Sequence, residues 1–377
     1  MKIIVNKALL GEAANLLARV INPKNAMPIL GDVLFDVKDN EVTLTASDTE
    51  VTLSTTIRLD TMEGDGQFCV SAKDLSTALA EITDEKVTII ATLESDNRFT
   101  LQHSSGETYF PIDNADEYPL PMKEQVSEPV TLPGLQMRDA LKRSLWATAN
   151  DELRHIMNGV CFALKDGWLD IVTSDGHVLV KSHINAIEGT KITDEFRMTI
   201  PKKAATLLGG VLSSAPVKVS WNEHSCHIDF WPYTLDMRLI EGKYPNYNSI
   251  ITKDQPLTAF VPRAFALCSL KKVLPFSADN NGSHLIRLSL TKDRMKLTAE
   301  DFDFDKGSHD SFHVEYPHED IEIGVSGSRL AAILSKLGGG EMRMCLTDPS
   351  HAMTFEPSEQ DEDCEVLMLA MPMLLNE

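Results

Sequence analysis

The chain of 377 residues has no long hydrophobic run: no stretch approaches the ~18–20 apolar residues of a membrane-spanning helix. Its first segment, MKIIVNKALLGEAAN, contains Asn6, Lys7 and Glu12 and is too polar for the core of a secretory signal peptide. Apolar content of 43% and charged content of 24% are ordinary for a soluble globular protein. We therefore expect a cytoplasmic protein.

Paired cysteines are also lacking, since no two of the six cysteines form a CxxC motif. Scattered cysteines in a cytoplasmic chain predict buried, reduced thiols. The six are Cys69, Cys161, Cys226, Cys268, Cys345 and Cys364.

One seven-residue phrase occurs three times, as VTLTASD at 42–48, LDIVTSD at 169–175 and MKLTAED at 295–301. The closing aspartates, Asp48, Asp175 and Asp301, are separated by 127 and 126 residues. This period matches a small domain of ~100–150 residues rather than a solenoid unit of ~20–50. The repeat therefore predicts three tandem domains of one fold.

Each repeat has the same predicted elements in the same order. Helical periodicity predicts a first helix at 7–21, 135–148 and 262–276, and a second helix at 72–82, 202–212 and 328–337. Alternating patterns predict strands at 32–38, 41–46, 86–92 and 98–102, with turns at 38–40, 165–167 and 292–294. The predicted fold class is α+β, with two helices on a β-sheet in each repeat.

Two proline- and charge-bearing segments without periodicity, at 120–130 and 251–257, are predicted linkers. They place the domain boundaries at 1–124, 125–251 and 252–377.

An excess of positive charge is the third feature that the sequence lacks. The formal net charge of −21 argues against a nucleic-acid partner if the charge is evenly spread. The predicted helices with their flanks, however, carry 14 Lys and Arg against four Asp and Glu. Helices on one side of a sheet would give a basic surface on an acidic molecule, which attracts phosphates through counterion release. The segments counted are 6–24, 71–82, 134–149, 201–213, 262–277 and 326–337.

Four short motifs accompany the repeats: MPILGD at 27–32, SDGH at 174–177, GKYPNY at 242–247 and MPM at 371–373. Together with the three repeats, they resemble the bacterial DNA sliding clamp family, the β subunit of the replicative DNA polymerase. The resemblance runs essentially from end to end. It implies a processivity factor without a catalytic site, cofactor or metal. It also implies a head-to-tail homodimer in which six domains form a ring, twelve helices line the hole and double-stranded DNA is encircled. A closed ring of this kind needs heterologous interfaces.

The resemblance implies DNA contacts to phosphates, without base recognition. Val178 stands where the family often carries a basic residue, so one expected contact is missing. The candidate contacts are Lys24, Lys73, Arg138, Lys142, Arg154, Lys202, Lys203, Lys271 and Lys272. For any single lysine, solubility of the surface is an equally good explanation.

The resemblance also implies a pocket for short peptide motifs of polymerases, the clamp loader and repair proteins. Leu374 and the pair Asn248-Ser249 replace residues that are basic in many relatives, which affects the charged end of the pocket. An alternative for Met371-Pro372-Met373 is a last core strand. The implied pocket residues are Met157, Ser174, Gly176, His177, Leu179, Pro245, Ile250, Ala370, Met371, Pro372 and Met373.

For the dimer interface, the resemblance implies a strand at 108–112 of the first domain and residues 273–274 of the third. The apolar contacts would come from Phe110, Ile112, Val273 and Leu274. Asp301 and Asp303, with Glu300 and Asp305, could face basic residues, although Arg98 is the main base on the first-domain side.

Enzymatic alternatives are weaker. Asp301, Asp303 and Asp305 would share one face of a strand and could bind a divalent cation, but Lys306 and Phe312 replace the Gly and Glu of a calcium loop. His224-Ser225-Cys226-His227 lacks a second ligand pair at zinc spacing, and a strand surface explains it better. Asp175-Gly176-His177 has no nucleophile signature nearby. A repeat scaffold that binds no DNA remains the other alternative.

Overall fold

The computed structural model describes residues 1–93, 96–120, 126–165, 167–187, 196–252, 254–278, 282 and 284–375. These ranges contain six α-helices and 25 β-strands. Among the described residues, no helix is both long and apolar enough to cross a membrane.

The first repeat contains two helices, α1 (Lys7–Leu17) and α2 (Ala72–Ala80). Its strands are β1 (Lys2–Asn6), β2 (Asp32–Lys38), β3 (Glu41–Ser47), β4 (Val51–Arg58), β5 (Thr61–Glu63), β6 (Gly66–Ser71), β7 (Lys86–Thr92), β8 (Arg98–His103) and β9 (Gly106–Pro111).

The second repeat contains α3 (Gly134–Ser144) and α4 (Lys202–Val211). Its strands are β10 (Val130–Leu132), β11 (Val160–Lys165), β12 (Gly167–Ser174), β13 (Val178–Ile187), β14 (Phe196–Ile200), β15 (Val217–Trp221), β16 (Ser225–Phe230) and β17 (Tyr233–Arg238).

The third repeat contains α5 (Arg263–Val273) and α6 (Gly327–Lys336). Its strands are β18 (Leu257–Pro262), β19 (Leu285–Thr291), β20 (Arg294–Asp301), β21 (Lys306–His313), β22 (Ile321–Ser326), β23 (Glu341–Leu346), β24 (Met353–Pro357) and β25 (Cys364–Ala370).

All three repeats follow one plan: strand, helix, four strands, helix, three strands, with the short β5 as an addition in the first repeat. In each repeat, the second to fourth strands and the strand before the second helix form one half-sheet, and the first strand and the last three strands form another. The predicted α+β fold of three tandem copies is confirmed.

The last strand of a repeat pairs with the fourth strand of the repeat before it. β17 pairs antiparallel with β4, and β25 pairs antiparallel with β13. We call each of these pairings a joint. Because of them, the half-sheets of successive repeats form two continuous eight-stranded sheets, β10-β15-β16-β17-β4-β3-β2-β6 and β14-β11-β12-β13-β25-β24-β23-β18.

The joints explain why compact units do not coincide with repeats. The first unit comprises Met1–Leu132 with Ser214–Leu239, and the second comprises Pro133–Ser213 with Ile240–Glu377. The second repeat is therefore divided between the units, whereas the boundaries expected from the sequence follow the repeats.

The two helices of each repeat pack against each other: α1 on α2, α3 on α4 and α5 on α6. Asn6, Ser71 and Ser326 cap α1, α2 and α6 by accepting a hydrogen bond from a first-turn N–H. Such caps satisfy N–H groups that the helix itself leaves unpaired. These caps begin the helices within about a residue of their predicted starts.

Three expectations need correction. The first helix of each repeat is shorter than predicted. In the third repeat, α5 ends at Val273 and is followed by a 3₁₀ turn over Leu274–Phe276, because Pro275 has no N–H to continue the α-helical hydrogen bonds. Cys268, on α5, is exposed rather than buried. The run from Asp301 to Asp305 is not a strand, because β20 ends at Asp301 and 302–305 form a turn.

Candidate functional site

The aspartate that closes the repeated phrase organises a tight turn. Asp175 Oδ1 accepts hydrogen bonds from the backbone N–H groups of His177 at 2.7 Å and Val178 at 2.8 Å. Asp48 does the same in the first repeat, where its Oδ1 accepts from the N–H of Val51 at 2.8 Å. The repeated aspartate is thus a turn-forming residue, since Asx side chains readily mimic a backbone turn.

The second copy of this turn has a glycine that the other two copies lack. Gly176 has φ +91°, and a Cβ there would lie 2.9 Å from Arg154 Nη1. Arg154 is held in place by Asp151, whose Oδ2 accepts from Arg154 Nε at 2.7 Å. This hydrogen bond keeps the pKa of Asp151 below its usual value. Arg154, a candidate for DNA contact, therefore packs on the loop that carries the candidate peptide residues.

The other oxygen of Asp175 fixes the loop to the third repeat. Asp175 Oδ2 accepts a hydrogen bond from Arg329 Nη2 on α6 at 3.2 Å, and both side chains are partly buried. His177, beyond the fixed carboxylate, is exposed. The loop is therefore held in place at Asp175, while the side chain of His177 is exposed to solvent.

The C-terminal segment runs beside this loop. Val178 pairs with Ala370 in the β13–β25 joint, and Met371 N–H donates to the His177 carbonyl at 2.8 Å. Met373 N–H then donates to the carbonyl of Gly324 at 2.7 Å. A Cβ at Gly324 would lie 2.3 Å from Met373 O, so only glycine permits this approach.

The MPM motif is not a core strand. β25 ends at Ala370, and Met371 is 42% exposed. Leu374 is 92% exposed. The segment after β25 therefore places apolar side chains at the surface next to His177.

Below this surface lies an aromatic floor. Tyr244 and Tyr247 are buried with Leu179 and Leu369 in one hydrophobic cluster. Burial is the main cause that raises the pKa of both tyrosines. Between and beyond the two tyrosines, Pro245 and Ile250 remain exposed.

A buried carboxylate anchors this floor. Asp170 is 2% exposed. Its Oδ2 accepts a hydrogen bond from Tyr247 OH at 3.0 Å and forms a salt bridge with Lys181 Nζ at 2.9 Å. His183 Nδ1 lies 2.5 Å from Asp170 Oδ1. Burial opposes ionisation, but the hydrogen bond from His183 and the charge of Lys181 hold the pKa of Asp170 below its usual value. Sequence reasoning missed Asp170, although it lies inside the repeated phrase, where the first and third copies have Thr43 and Lys296.

The eleven candidate pocket residues divide into floor and surface. The floor residues are buried: Met157, Ser174, Leu179 and Ala370. The surface residues are exposed or half-buried: Gly176, His177, Pro245, Ile250, Met371, Pro372 and Met373. Sites that bind peptides commonly have buried apolar residues at the base and adaptable methionines at the surface, and this arrangement is the same.

A separate cavity of about 740 Å³ in the second unit contains none of these eleven residues. Its charged lining is mixed, with Lys181, His183 and Arg343 against Glu356 and Glu365.

Lys73, Lys142, Lys202 and Lys271 are exposed, one on each of α2, α3, α4 and α5. In the described part of the chain, none of these four forms an ion pair. Lys24, beyond α1, is also exposed. Lys272 and Arg138 are less available, because they pair with Asp310 at 2.7 Å and Asp139 at 2.9 Å.

Two lysines occupy an unfavourable helix end. Lys202 and Lys203 form the first turn of α4, which contains no acidic residue. The positive end of the helix dipole disfavours cations there by ~0.3–1 kcal/mol each. The same end, with its free N–H groups, favours a phosphate. Arg263, in the first turn of α5, has a structural role instead, because it donates to the carbonyls of Leu334 and Gly339 at 2.7 Å.

The candidate interface residues differ in accessibility. Ile112 and Val273 are buried within the single chain and leave almost no surface for a partner, because both pack into their own cores. Phe110 and Leu274 are half-buried. Asp301 closes β20, and Asp303 is exposed in the turn that follows.

The weaker motifs do not assemble a catalytic or metal site within the described ranges. No group of three or more His, Cys, Asp or Glu side chains there could hold a metal ion. His227 Nδ1 lies 2.7 Å from Asp236 Oδ1 on the neighbouring strand, and this hydrogen bond raises the pKa of His227. In the HSCH segment, His227 is thus partly exposed beside Asp236, whereas Cys226 is buried in the core.

Comparison with known families identifies two matching models. The model described as "DNA polymerase III beta subunit, N-terminal domain" matches residues 1–122, and the model of the central domain of the same subunit matches residues 131–246. The matched residues make up more than half of the chain.

Full-length relatives and structures are also similar. The beta sliding clamp of Haemophilus influenzae is 25% identical over 363 residues, which cover 93% of this chain and 94% of that protein. The crystal structure of the DNA polymerase III subunit beta from Pseudomonas aeruginosa superposes with a TM-score of 0.92 at 21% identity, with 100% of both chains covered. A sliding clamp from the same species bound to griselimycin gives a TM-score of 0.91, with 21% identity and both chains covered completely.

Proposed function

We propose, on the premise that the chain belongs to the DNA polymerase III beta-subunit family, that it is a DNA sliding clamp. As a head-to-tail dimer it encircles duplex DNA and tethers polymerases and other replication proteins, which makes synthesis processive. It does so without catalysing a reaction, in the cytoplasm at the nucleoid. Its functional domains are 1–124, 125–251 and 252–377, each one copy of the repeat.

The observation that carries this proposal is the pair of joints. The second repeat contributes its last strand, β17, to one joint and its fourth strand, β13, to the other, so the repeats form a directional chain. Within the described residues, the last strand of the first repeat, β9, and the fourth strand of the third repeat, β21, have no partner in a joint. Two copies can fill both edges only head to tail, which closes an assembly of six repeats.

The DNA-facing residues of this clamp are the helix-borne lysines and Arg154. Four different helices each carry an exposed lysine that forms no ion pair in the described part of the chain. One of these lysines, Lys202, lies at a helix N-terminus. Such lysines suit sequence-independent contacts to phosphates. The strongly acidic remainder of the chain discourages nonspecific binding of polyanions elsewhere.

The partner site is the surface built on the His177 loop, the Pro245–Ile250 segment and Met371. The loop is held by the hydrogen bond between Asp175 and Arg329, the tyrosines beneath it are buried, and Met371 is exposed. Together they form a preformed apolar groove for an extended peptide. The partners are the polymerase, the clamp loader and repair polymerases.

Retention on DNA tests the function. With a clamp loader present, the protein should remain on nicked circular DNA and be lost when the circle is cut. Retention on both forms would indicate ordinary binding, and loss from both would favour an inert scaffold. Light scattering should give a dimer; a monomer at micromolar concentration contradicts the ring. Metal-dependent phosphoester cleavage would restore the enzymatic alternative.

A further inference from the structure

The cavity of about 740 Å³ lies on the same two strands as the floor of the candidate peptide site. Leu179 on β13 and Leu369 on β25 belong to that floor, and they lie opposite each other in the joint. Side chains two residues apart on a strand share one face. The next pair on this face is Lys181 and Leu367, and both residues line the cavity. The cavity thus continues the floor along the joint.

One short segment separates the cavity from the candidate groove. Asn248 and Ile251 line the cavity from this segment, whereas Ile250, between them in sequence, is an exposed residue of the candidate peptide site. Ile251 and Leu367 pack against the hydrophobic cluster that forms the floor, and they also line the cavity. The groove and the cavity therefore rest on common apolar side chains.

The positive charges in the cavity are already neutralised by the protein. Lys181 forms a salt bridge with buried Asp170, and Arg343 forms one with Glu356. His183, the third basic residue of the lining, also lies against Asp170. An anionic ligand would therefore have to compete with a carboxylate of the protein for each of these groups.

The negative charges at the rim, by contrast, are not paired within the described residues. Glu365 lines the cavity, and the loop around Gln360, another lining residue, carries four more exposed acidic residues. No basic side chain in the described ranges forms an ion pair with any of the five. They are Glu359, Asp361, Glu362, Asp363 and Glu365. The unpaired charge of the cavity is thus negative, and complementarity favours a cationic occupant.

The shape of the cavity favours long cationic side chains. Its base is apolar where Ile251 and Leu367 line it, and its acidic residues lie at the rim. Lysine and arginine match this arrangement, because their stems pack on apolar surface while the charged heads remain in water beside the carboxylates. The volume lies within the ~300–1,000 Å³ that is usual for ligand sites.

We propose that the cavity receives a flank, rich in lysine or arginine, of the same partner peptide that binds in the groove. This inference rests on the proposed function and adds a second contact region to its partner site. From Leu179 in the floor to His183 in the cavity is four residues, roughly 13 Å along β13. About four extended residues beyond the last apolar anchor of the peptide span this distance.

Fluorescence anisotropy with synthetic peptides tests the proposal. A short linear peptide is first selected from a random library for binding to the protein, with the requirement that Met371→Glu abolishes its binding. The flanks Lys-Gly-Arg-Gly, Ser-Gly-Ser-Gly and Glu-Gly-Glu-Gly are then added at each end in turn. At one end, the basic flank should increase affinity on the order of tenfold over the serine flank, and the acidic flank should decrease it. The gain should shrink between ~50 and ~500 mM salt, because salt screens exposed charges.

Variants of the rim identify where the basic flank binds. Glu359→Gln/Glu365→Gln should remove most of the gain and leave the affinity for the serine-flanked peptide unchanged, because neither residue belongs to the groove. The matched control, Glu319→Gln/Asp320→Asn, removes the same charge from exposed residues of the same repeat that do not line this cavity. The control should keep the full gain.

The outcomes separate this inference from the proposed function. No gain from the basic flank at either end, or an equal loss of the gain in both variants, overturns the inference and leaves the groove intact. A free Lys-Gly-Arg-Gly peptide that binds as tightly as the anchored one would make the cavity an independent site, which also contradicts the inference. A rim variant that light scattering shows to have lost its dimer would assign the rim to contacts between copies instead. If no library peptide depends on Met371, the proposed partner site itself is wrong.

Charge reversal provides a second test. Glu359→Lys/Glu365→Lys should reverse the preference, so that the acidic flank binds more tightly than the basic one. Glu319→Lys/Asp320→Lys should not reverse it. An unreversed preference in a rim variant that melts at the temperature of the parent protein contradicts the assignment of the flank to the cavity.

Discussion

Replacing Lys73, Lys142, Lys202 and Lys271 with glutamine should reduce the salt dependence of DNA binding. Each lysine is exposed on a different helix and forms no ion pair in the described part of the chain. Each therefore has a free charge to place against a phosphate.

The size of the effect follows from counterion release. Each phosphate contact contributes about 0.9 to the slope of log K against log salt, so four contacts contribute about 3.6. Between ~50 and ~200 mM salt, the unmodified protein should lose roughly 10²-fold more affinity than the variant.

The assay is fluorescence anisotropy on a short linear duplex, over a salt titration. A matched control replaces Lys38, Lys86, Lys218 and Lys296, which are exposed lysines on strands, and removes the same net charge. An unchanged slope in the helix variant, or an equal decrease in both variants, would refute the assignment of the DNA surface to the helices.

The remaining predictions concern the peptide site and the first core. Gly176→Ala should reduce affinity for a partner peptide in a titration, whereas Gly167→Ala, equally left-handed at φ +82° but with nothing within 4 Å, should not. Tyr247→Phe removes a hydrogen bond to buried Asp170 and should cost about 1.5–3 kcal/mol of local stability, visible as faster hydrogen exchange at 244–250, with exposed Tyr109→Phe as control. Burial, with the hydrogen bond and charge of Asp113, raises the pKa of Asp32 to about 7, above the ordinary ~3.9. The folded state thus retains a proton that the unfolded chain loses, and stability should fall as pH rises from about 4 to 7; Asp32→Asn should flatten that decline in melting temperature, and an unchanged profile would contradict it.

Local patterns in the sequence were sufficient to predict the strands and turns whose conformation depends on neighbouring residues. The strands at 32–38 and 86–92 were predicted with their observed bounds, because alternation and turn residues define them. The turn at 38–40 contains Asp39 and Asn40 at positive φ, as expected for a tight hairpin.

Long-range contacts could not be predicted in this way. Tyr247 and Asp170 are 77 residues apart in sequence, and neither residue type alone indicates that they meet. The joints were also missed, since β17 and β4 show no signal for pairing beyond ordinary strand patterns. The turn after Asp301 was misjudged because alternating Asp and Phe imitate a strand.

For the candidate site, the motifs predicted a region but not which of its residues are buried and which are exposed. Leu179 and Met157 proved to be floor rather than lining, because the burial of a side chain depends on elements that are distant in sequence. Arg154 was expected at the DNA, and in the structure it lies against Gly176, in the loop of the candidate peptide site.

The two joints, which both pair a last strand with a fourth strand, have a consequence for the history of the chain. A single repeat carries both halves of a joint, so a free ancestral unit of about one third of the present length could pair with identical copies around a closed circle. Fusion of three units into one gene would turn most of those bimolecular encounters into intramolecular ones, with a large gain in effective concentration. Joints inside the fused chain were then free to become apolar and permanent, as Leu53–Leu235 and Val180–Met368 are. Selection for reversibility would act only on the two contacts that fusion left between separate chains.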